Sequence, residues 1–523
     1  MPRRETAVAV SIAFAVWAVA LAMLVAVSRQ TGPAFGELGG LASIEAHTDL
    51  IRRIAAGRLS ELWRPEHRPA LESGVLVLTG AWSKLSLGRI GVLDPLTAMR
   101  LPGLMVGALA PLSLYLAVRP SRGRRVALTA AALCLLVPRF SHAVVVADEA
   151  ALAASAGCLV MAAHVRALGP AAPGGAGAKR TLAWAVLGAA ALGFGLSLSL
   201  GVLWVLPVLL THFAWARRAS VRRLLRQGRL PIPALVLAAL PIAPLVLVAF
   251  EPALWRASPA ALARFFLAPL EPTVVRTEIG GAVVDRLPVP GALSLHWLLH
   301  AVPFSVLALA LFGLGVAAHA LLARRFASGS CRPPPDRHAL GALGAIGLGG
   351  GLVGFWLMPD VLTTFPPRVI TLVPFLALCA AIGVDRLATW VHWPALRPVF
   401  LGCVMVALAT PALTQAATAS ASASPITGGG RIARRVLPVG DGSELAVLAR
   451  AIDALGKPSV TLAAPPEVPA ELWARLLHTG RLRTRVTLDR QGELSLSRGR
   501  TSGAIVAQVR RDGALVWTLA HNR

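Results

Sequence analysis

Residues 45–71 read EAHTDLIRRIAAGRLSELWRPEHRPAL and follow a long apolar run, 6–28. Acids, arginines and the histidines His47 and His67 crowd into this stretch, whereas the chain around it is hydrophobic almost from end to end. Ionisable groups at a membrane boundary are costly, so they indicate function more strongly there than in a soluble protein. A solvated loop between two spans would explain the same charges, and the layout of the remaining chain decides between these readings.

The composition predicts a polytopic membrane protein. The 523 residues are 56% hydrophobic and 15% charged, with a mean hydropathy of +0.67, whereas soluble domains carry about 25% charged residues. The formal net charge of +26 comes from no compact basic domain with interleaved aromatics, so we expect no nucleic-acid partner. Most arginines lie in short loops, where they set topology and contact anionic membrane lipids. The five cysteines show no metal-ligand spacing, and we expect neither a metal nor another cofactor.

The fold class predicted from these runs is mainly α, with about eleven membrane spans of about 20 residues each. The predicted spans are 6–28, 96–118, 126–146, 149–167, 181–199, 201–216, 231–250, 296–322, 339–358, 369–384 and 398–417. The basic turns fall on one side if the chain starts inside and ends outside. The run 70–87 is short and carries Glu72 and Lys84, so we predict an interfacial or re-entrant helix there.

This topology divides the chain into three parts. A transmembrane domain, 1–418, presents the loops 29–95, 147–149 and 251–295 on the outer face. A linker rich in Ala, Ser, Thr and Gly, 419–439, follows it. Residues 440–523 are predicted to form a small extramembrane α/β domain. Its predicted helices are 443–455 and 469–478, its predicted strands are 459–463, 484–488, 493–497, 504–509 and 514–519, and RRDG at 510–513 predicts a hairpin turn.

Two acids on the predicted outer face, Asp49 and Asp148, are candidates for chemistry. A carboxylate at this boundary can accept a proton from an acceptor hydroxyl or amine. Arg or Lys nearby can hold a phosphate leaving group through charge-assisted hydrogen bonds. Either acid alone fits an ordinary loop residue equally well, and it is their joint placement that favours a site.

Several short motifs accompany these acids. They are Asp49 with Arg52, the element HRPAL at 67–71, the turn 86–88, the start of the next span at 94–103, Asp148 after 143–147, and FPPR at 365–368. Together they resemble the GT-C superfamily of membrane glycosyltransferases, in the branch of the protein O-mannosyltransferases and lipid A aminoarabinose transferases. The resemblance covers residues 5–420. It departs from the family pattern at Leu50, where an acid is often found, and at Ala70, where a second proline is expected.

The resemblance implies a sugar donor linked to polyprenyl phosphate, used on the non-cytoplasmic face of a bacterial inner membrane with inversion at the anomeric carbon. It implies Asp49 as the base, or as the residue that orients the acceptor, with Asp148 supporting the catalytic site. The residues it implies for the donor phosphate are Arg52, Arg68, Lys84 and Arg368, and Glu149 and His67 are possible supporting residues. Arg68 and Arg368 fit snorkelling to lipid headgroups equally well. The acceptor, whether protein, lipid or glycan, is not specified.

Two other function classes stay open. One is a non-catalytic GT-C-like scaffold, which would not depend on Asp49. The other is a multi-span transporter or flippase of lipid-linked or cell-envelope substrates, which would depend on acids or helix breakers within its spans. Pro241 and Pro244 do interrupt one predicted span, but no acid lies in the middle of any.

Overall fold

The computed structural model describes most of the apolar chain and most strands of the C-terminal region. The described residues are 2–31, 44, 48, 52, 56, 74–88, 90–168, 176–250, 277–279, 282–284, 298–299, 302–326, 337–357, 367–414, 445–464, 473, 476, 482, 484–489, 492–497, 505–511 and 514–521. The predicted linker 419–439 and most of the predicted outer loops 29–95 and 251–295 lie outside them. The boundaries of the three predicted parts therefore stay predictions.

The described membrane part is built from α-helices. In chain order they are α1 (Pro2–Gln30), α2 (Gly74–Ser83), α3 (Pro95–Gly107), α4 (Leu109–Leu135), α5 (Pro138–Val145), α6 (Glu149–Ala167), α7 (Ala176–Leu198), α8 (Val205–Ala216), α9 (Arg218–Arg226), α10 (Ala234–Phe250), α11 (Phe304–Phe326), α12 (Arg337–Leu357), α13 (Val373–Trp390) and α14 (Arg397–Thr414). Short 3₁₀ turns precede α8, α13 and α14 at Leu200–Trp204, Pro367–Leu372 and Pro394–Leu396. A two-stranded antiparallel ribbon, β1 (Thr277–Ile279) and β2 (Ala282–Val284), lies between α10 and α11 in the chain.

The chain is an integral membrane protein. Within the described residues, the helices long and apolar enough to cross a membrane are Val8–Gln30, Pro95–Leu135, Ala150–Ala167, Gly177–Leu198 and Ile370–Trp390. The pair Leu200–Ala216 and Arg218–Arg226, bent by 87°, makes a sixth if it forms one span. Shorter apolar helices are Ala234–Phe250, Phe304–His319 and Ala339–Val353. The predicted number of eleven crossings and their direction stay predictions.

The segment Pro95–Leu135 has 41 residues, or about 60 Å if fully helical, which is twice the thickness of a hydrocarbon core. The backbone leaves helical geometry at Gly123, where φ is 81° and ψ is 175°. A side chain would be strained at this φ, so glycine suits the break. The break falls in the basic turn between the predicted spans 96–118 and 126–146, in agreement with two separate segments.

The second of these predicted spans is wrong as a single helix. Helix α4 ends at Leu135, and α5 begins at Pro138 after a short interruption. Proline lacks the N–H that a continuous helix needs, and it disfavours helical geometry at Val137 before it. The predicted span 201–216 also differs, because its first residues form a 3₁₀ turn and α8 starts at Val205. The predicted helix 149–167 agrees with α6.

Small residues allow the bundle helices to approach closely. Helices α11 and α13 pack against each other at Gly313, where an added Cβ would overlap the carbonyl oxygen of Cys379. Glycine at such a crossing is typical of membrane helix pairs, whose packing relies on close backbone approach. The same core buries large side chains such as Tyr115 and Phe140.

In the C-terminal region the described residues include the helix α15 (Leu445–Asp453) and a five-stranded sheet in the order β4-β3-β5-β7-β6. The strands are β3 (Ser459–Ala463), β4 (Arg485–Leu488), β5 (Leu494–Ser497), β6 (Ile505–Arg511) and β7 (Ala514–His521). β3 pairs in parallel with β4 and β5, whereas β7 pairs antiparallel with β5 and β6. These strands confirm the predicted ones to within two residues at each end, and the predicted hairpin joins β6 to β7.

This sheet has its own apolar core. Leu448 and Ile452 of α15 are buried with Leu462 of β3, Leu494 of β5 and Trp473. In β3, buried Val460 and Leu462 alternate with exposed neighbours, which is the period of a strand with one covered face. Of the predicted helix 469–478, only Trp473 and Leu476 are described, and both are helical and buried.

Candidate functional site

Helix α3 is contacted by several of the described segments that carry or adjoin candidate residues. Asp94 caps this helix, since its carboxylate accepts a hydrogen bond from Thr97 N at 3.1 Å. Pro95 follows at the first helical position, where its missing N–H costs nothing. An Asp-Pro pair therefore fixes where α3 begins.

Helix α1 is joined to this point by buried polar contacts. The Arg100 guanidinium is buried and donates through Nη1 to the carbonyl oxygen of Thr31, 3.0 Å away. The hydroxyls of Ser28 and Thr97 lie 3.2 Å apart and share a hydrogen bond. The end of α1, from which the first outer loop leaves, is thus held against α3.

The described residues just before Asp49 also pack on α3. Ile44 contacts buried Leu96 and Met99, and the buried Thr48 hydroxyl donates to the Ile44 carbonyl oxygen at 2.7 Å. Further along, Arg52 is exposed, and its carbonyl oxygen accepts from Ala56 N at 3.0 Å. These hydrogen bonds are local and helical in spacing.

Lys84 lies in the turn that leads into α3. Helix α2 spans ten residues and passes into a π-helical turn at Lys84–Gly88. Ten residues are about 15 Å of helix, too short to cross a hydrocarbon core. The π turn contacts α3, with Gly88 beside Ala98, and the Lys84 side chain is half-buried. The turn that begins at Lys84 therefore lies against the N-terminal end of α3.

Asp148 lies at the opposite flank of this helix. Ala147 adopts a positive φ of 55°, and an added Cβ at Gly103 of α3 would lie 3.3 Å from the Ala147 Cβ. Asp148 then caps α6, because its Oδ1 accepts from Ala150 N at 3.0 Å and from Ala151 N at 3.2 Å. By accepting these hydrogen bonds, Asp148 stabilises the N-terminus of α6. Glu149 is the first residue of that helix.

Arg368 lies on the 3₁₀ turn Pro367–Leu372. This turn contacts α6, which begins after Asp148, and the short helix α5. The structure therefore brings the backbone of Arg368 to the two helices that flank Asp148, although more than two hundred residues separate them in sequence. Asp49, His67 and Arg68 lie outside the described residues.

A buried polar helix that the sequence motifs did not predict lies beside Asp148. In α5, Arg139, Ser141 and His142 are all buried, and the Ser141 hydroxyl donates to the Leu135 carbonyl oxygen at 2.5 Å. The Asp148 backbone N–H donates to the carbonyl oxygen of Ala143, also in α5, at 2.8 Å. Arg139 and His142 have the i, i+3 spacing of one helix face, and that spacing after a proline was the available signal.

Two buried histidines, one of them in the last turn of α6, lie close together. His164 Nε2 and His212 Nδ1 are 3.2 Å apart, and His212 Nε2 lies 2.9 Å from the Ala339 carbonyl oxygen. A carbonyl only accepts, so His212 Nε2 carries the proton, its Nδ1 accepts, and His164 donates. In the part of the chain that the structure describes, no three His, Cys, Asp or Glu side chains converge as metal ligands.

Comparison with known proteins finds no matching family model and no matching curated protein. Among solved structures, the chain is similar to ArnT from Cupriavidus metallidurans in the apo state, with a TM-score of 0.49 and 16% identity over 99% of this chain and 98% of ArnT. ArnT bound to undecaprenyl phosphate is similar with a TM-score of 0.44, 16% identity and the same coverage.

The archaeal oligosaccharyltransferase AglB from Archaeoglobus fulgidus, in complex with an inhibitory peptide and a dolichol-phosphate, is also similar. Its TM-score is 0.44 at 14% identity, over 90% of this chain and 64% of AglB.

Proposed function

We propose that this chain is an integral-membrane glycosyltransferase. It moves a sugar from a polyprenyl-phosphate-linked donor to an acceptor on the non-cytoplasmic face of a bacterial inner membrane. The observation that carries the proposal is the convergence on α3. The segment that precedes Asp49, the Lys84 turn and the Ala147–Asp148 turn all pack against this one helix, and the Arg368 turn contacts the helix that Asp148 caps.

The proposed reaction is a single displacement. Asp49 accepts the proton of the acceptor hydroxyl or amine while the acceptor atom forms a bond to the anomeric carbon. The bond from that carbon to the phosphate oxygen breaks on the opposite side, so the configuration inverts. The leaving group is the polyprenyl phosphate, and its added negative charge is stabilised by cations already in place.

The cations assigned to this phosphate are Arg52, Arg68, Lys84 and Arg368. Lys84 is half-buried in the π turn that contacts α3, and its ammonium group offers a compact positive charge to a phosphate. Arg52 is exposed on the described helical turn, within the same outer loop. Asp148 supports the site through the turn it holds, next to α3, and Glu149 and His67 are assigned supporting positions near it.

The topology proposed with this function places all these segments outside. The described contacts favour that grouping, because Thr31 and the Ala147 turn both contact α3, and the Arg368 turn contacts the helices α5 and α6 on either side of the Ala147 turn. At the other end, Arg122 lies 3.9 Å from Asp385, and Arg217 donates to the Leu168 carbonyl oxygen. Basic turns gather at this second end, as expected of the cytoplasmic side.

The test is transfer of radiolabelled sugar from a panel of polyprenyl-phosphate donors in membranes that contain the wild-type chain or Asp49→Asn. Loss of a general base lowers a rate by about 10²–10⁴-fold, so transfer should collapse at equal membrane abundance. Asp94→Asn is the matched control, because it makes the same charge change on the same face and asparagine still caps α3.

Transfer that survives in Asp49→Asn would overturn the assignment of the base and move it to another acid, with Asp148 next in line. If Asp94→Asn were as inactive as Asp49→Asn, the loss would reflect general disturbance of this face. A wild-type chain that transfers no sugar from any donor in the panel would favour the scaffold.

A further inference from the structure

A cavity of about 630 Å³ opens between helices at the end of the bundle away from Asp148. It belongs to α4, α11, α12 and α13. Arg122 of α4 lies 19 residues beyond Gly103, which adjoins the Ala147 turn, and this separation is about 28 Å along a helix. The cavity is therefore separate from the proposed transferase site by roughly the thickness of a hydrocarbon core.

The interior of this cavity is apolar. Phe312 and Trp390 meet edge to face with ring centroids 5.5 Å apart, and the buried Ile382 adds to the same wall. At Gly313 the two helices α11 and α13 are in backbone contact, whereas one half-turn on, at Gly315, an added Cβ would meet nothing within 4 Å. Gly315 also lines the cavity, so this open space is part of it.

The mouth of the cavity is cationic. Arg122, Arg386 and His319 line it together with one acid, Asp385. Arg122 Nη1 lies 3.9 Å from Asp385 Oδ2, which is an ion-pair distance and longer than a hydrogen bond. Two arginines against one carboxylate leave a net charge of +1 with histidine neutral. The Arg386 and His319 side chains are exposed.

We infer that this cavity binds a phosphate-bearing membrane lipid. The phosphate lies at Arg122 and Arg386, and part of one acyl chain lies along the Phe312–Ile382 wall. An apolar space with a cationic rim fits an amphiphile with an anionic head, and basic pockets between membrane helices are the type of site that anionic headgroups occupy. The volume is within the 300–1,000 Å³ range of ordinary ligand sites.

Such a lipid would link four helices that are distant in sequence. Its head contacts the turn after the first half of α4 and the end of α13, and its chain fills the gap between α11 and α13. A ligand that binds only the folded state stabilises it by mass action. The lipid therefore acts as a structural ligand on the face opposite the transferase site, and it does not depend on the proposed reaction.

The first experiment is native mass spectrometry of the purified full-length chain in detergent, titrated with phosphatidylglycerol. The double variant Arg122→Gln, Arg386→Gln should bind the first lipid about tenfold more weakly or worse, because each removed cation loses charge-assisted hydrogen bonds to phosphate. Arg124→Gln is the matched control, since Arg124 is an exposed arginine of the same turn that does not line the cavity.

The second experiment fills the cavity and leaves the arginines in place. Gly315→Phe places a ring in the open space, so phosphatidylglycerol binding should fall as in the double variant. Gly349→Phe in α12 is the control, because an added Cβ there also meets nothing within 4 Å and Gly349 does not line the cavity. Both glycines are exposed on their helices, so both variants should fold.

Competition with inorganic phosphate and with phosphatidylcholine tests whether the site recognises an anionic lipid, a free phosphate or any lipid. The inference predicts that millimolar phosphate displaces little bound phosphatidylglycerol and that phosphatidylcholine binds more weakly than phosphatidylglycerol. Phosphate that displaced the lipid fully would make this a free-phosphate site. Equal binding by wild type, the double variant and Gly315→Phe would overturn the inference and leave only general annular lipid.

Discussion

The guanidinium of Arg100 donates a hydrogen bond to the backbone carbonyl oxygen of Thr31, with Nη1 and O 3.0 Å apart. Arg100 lies in the second turn of α3, and Thr31 directly follows α1. The bond spans 69 residues of sequence and fixes the point from which the first outer loop departs. It therefore connects a buried polar contact to the placement of a proposed catalytic loop.

Replacing Arg100 by methionine should weaken this junction. The change removes a hydrogen bond from a charged donor, which costs about 1.5–3 kcal/mol, and it leaves the Thr31 carbonyl oxygen buried. Thermal unfolding of the purified chain in detergent should show a lower midpoint. Arg124→Met, at an exposed position, serves as the control, and equal midpoints for the two variants would mean that the Arg100 bond contributes nothing.

Two glycines in α11 provide a matched pair for packing. Gly313→Ala would push a methyl group into the carbonyl oxygen of Cys379, so we expect a loss of about 1–3 kcal/mol from overpacking. Gly315→Ala meets open space and should be neutral or gain about 0.5–1 kcal/mol from better helix propensity. The stability of both variants is measured as the yield of folded protein and the denaturation midpoint. A Gly315→Ala variant less stable than Gly313→Ala would show that α11 and α13 do not pack at Gly313.

Two substitutions at Asp148 separate its capping role from its charge. Asparagine keeps the cap on α6 and removes the charge, whereas alanine also removes the hydrogen bonds to Ala150 N and Ala151 N and costs about 0.5–2 kcal/mol. We expect Asp148→Asn to unfold at the wild-type temperature and to transfer sugar more slowly. Wild-type transfer by Asp148→Asn would limit this residue to capping.

The buried pair His164 and His212 should behave as one unit in a double-mutant cycle. Each leucine replacement leaves the other ring nitrogen without the partner seen at 3.2 Å, so we expect a coupling energy of about 0.5–3 kcal/mol in stability. His142→Leu combined with His212→Leu is the control, because those residues lie toward opposite ends of the bundle and their effects should add. Additive behaviour of the His164 and His212 pair would show that the hydrogen bond between them does not couple the two residues in stability.

The C-terminal sheet should survive separation from the helices. Limited proteolysis of the full chain is expected to cut within the predicted linker, 419–439, and to release a resistant fragment that contains 440–523. Trp473→Ala should abolish that resistance, since truncating a buried tryptophan costs about 3–5 kcal/mol, and Trp473 lies within the core of this sheet. Cutting within the β-strands of the wild type would contradict a separate domain.

Much of the fold was predictable from sequence because its signals are local. A membrane helix must satisfy its backbone hydrogen bonds within itself, so a run of apolar residues is enough to predict one. The bounds of α6 were predicted from such a run, and β3 was predicted from the alternation of apolar and polar residues. The exceptions were 126–146, where hydropathy predicted one helix and Pro138 divided it into two, and 201–216, whose first residues form a 3₁₀ turn.

The candidate site was predictable only in part. Motifs identified Lys84 and Asp148, and the structure places their turns on opposite flanks of α3. The buried polar face of α5 escaped notice, because a lone Arg139 or His142 in an apolar context is equally compatible with a loop. Asp49, His67 and Arg68 remain predictions from the sequence alone.

The sequence by itself determined the membrane class, most helix positions and the C-terminal strands, because hydropathy and side-chain period act over a few residues. Only the tertiary structure decided which distant polar groups meet: Arg100 with Thr31, His164 with His212 and Arg122 with Asp385. The reason is that these meetings depend on the rotation and depth of each helix in the bundle. Rotation and depth are set by packing between surfaces such as Gly313 and Cys379, which no single segment of sequence contains.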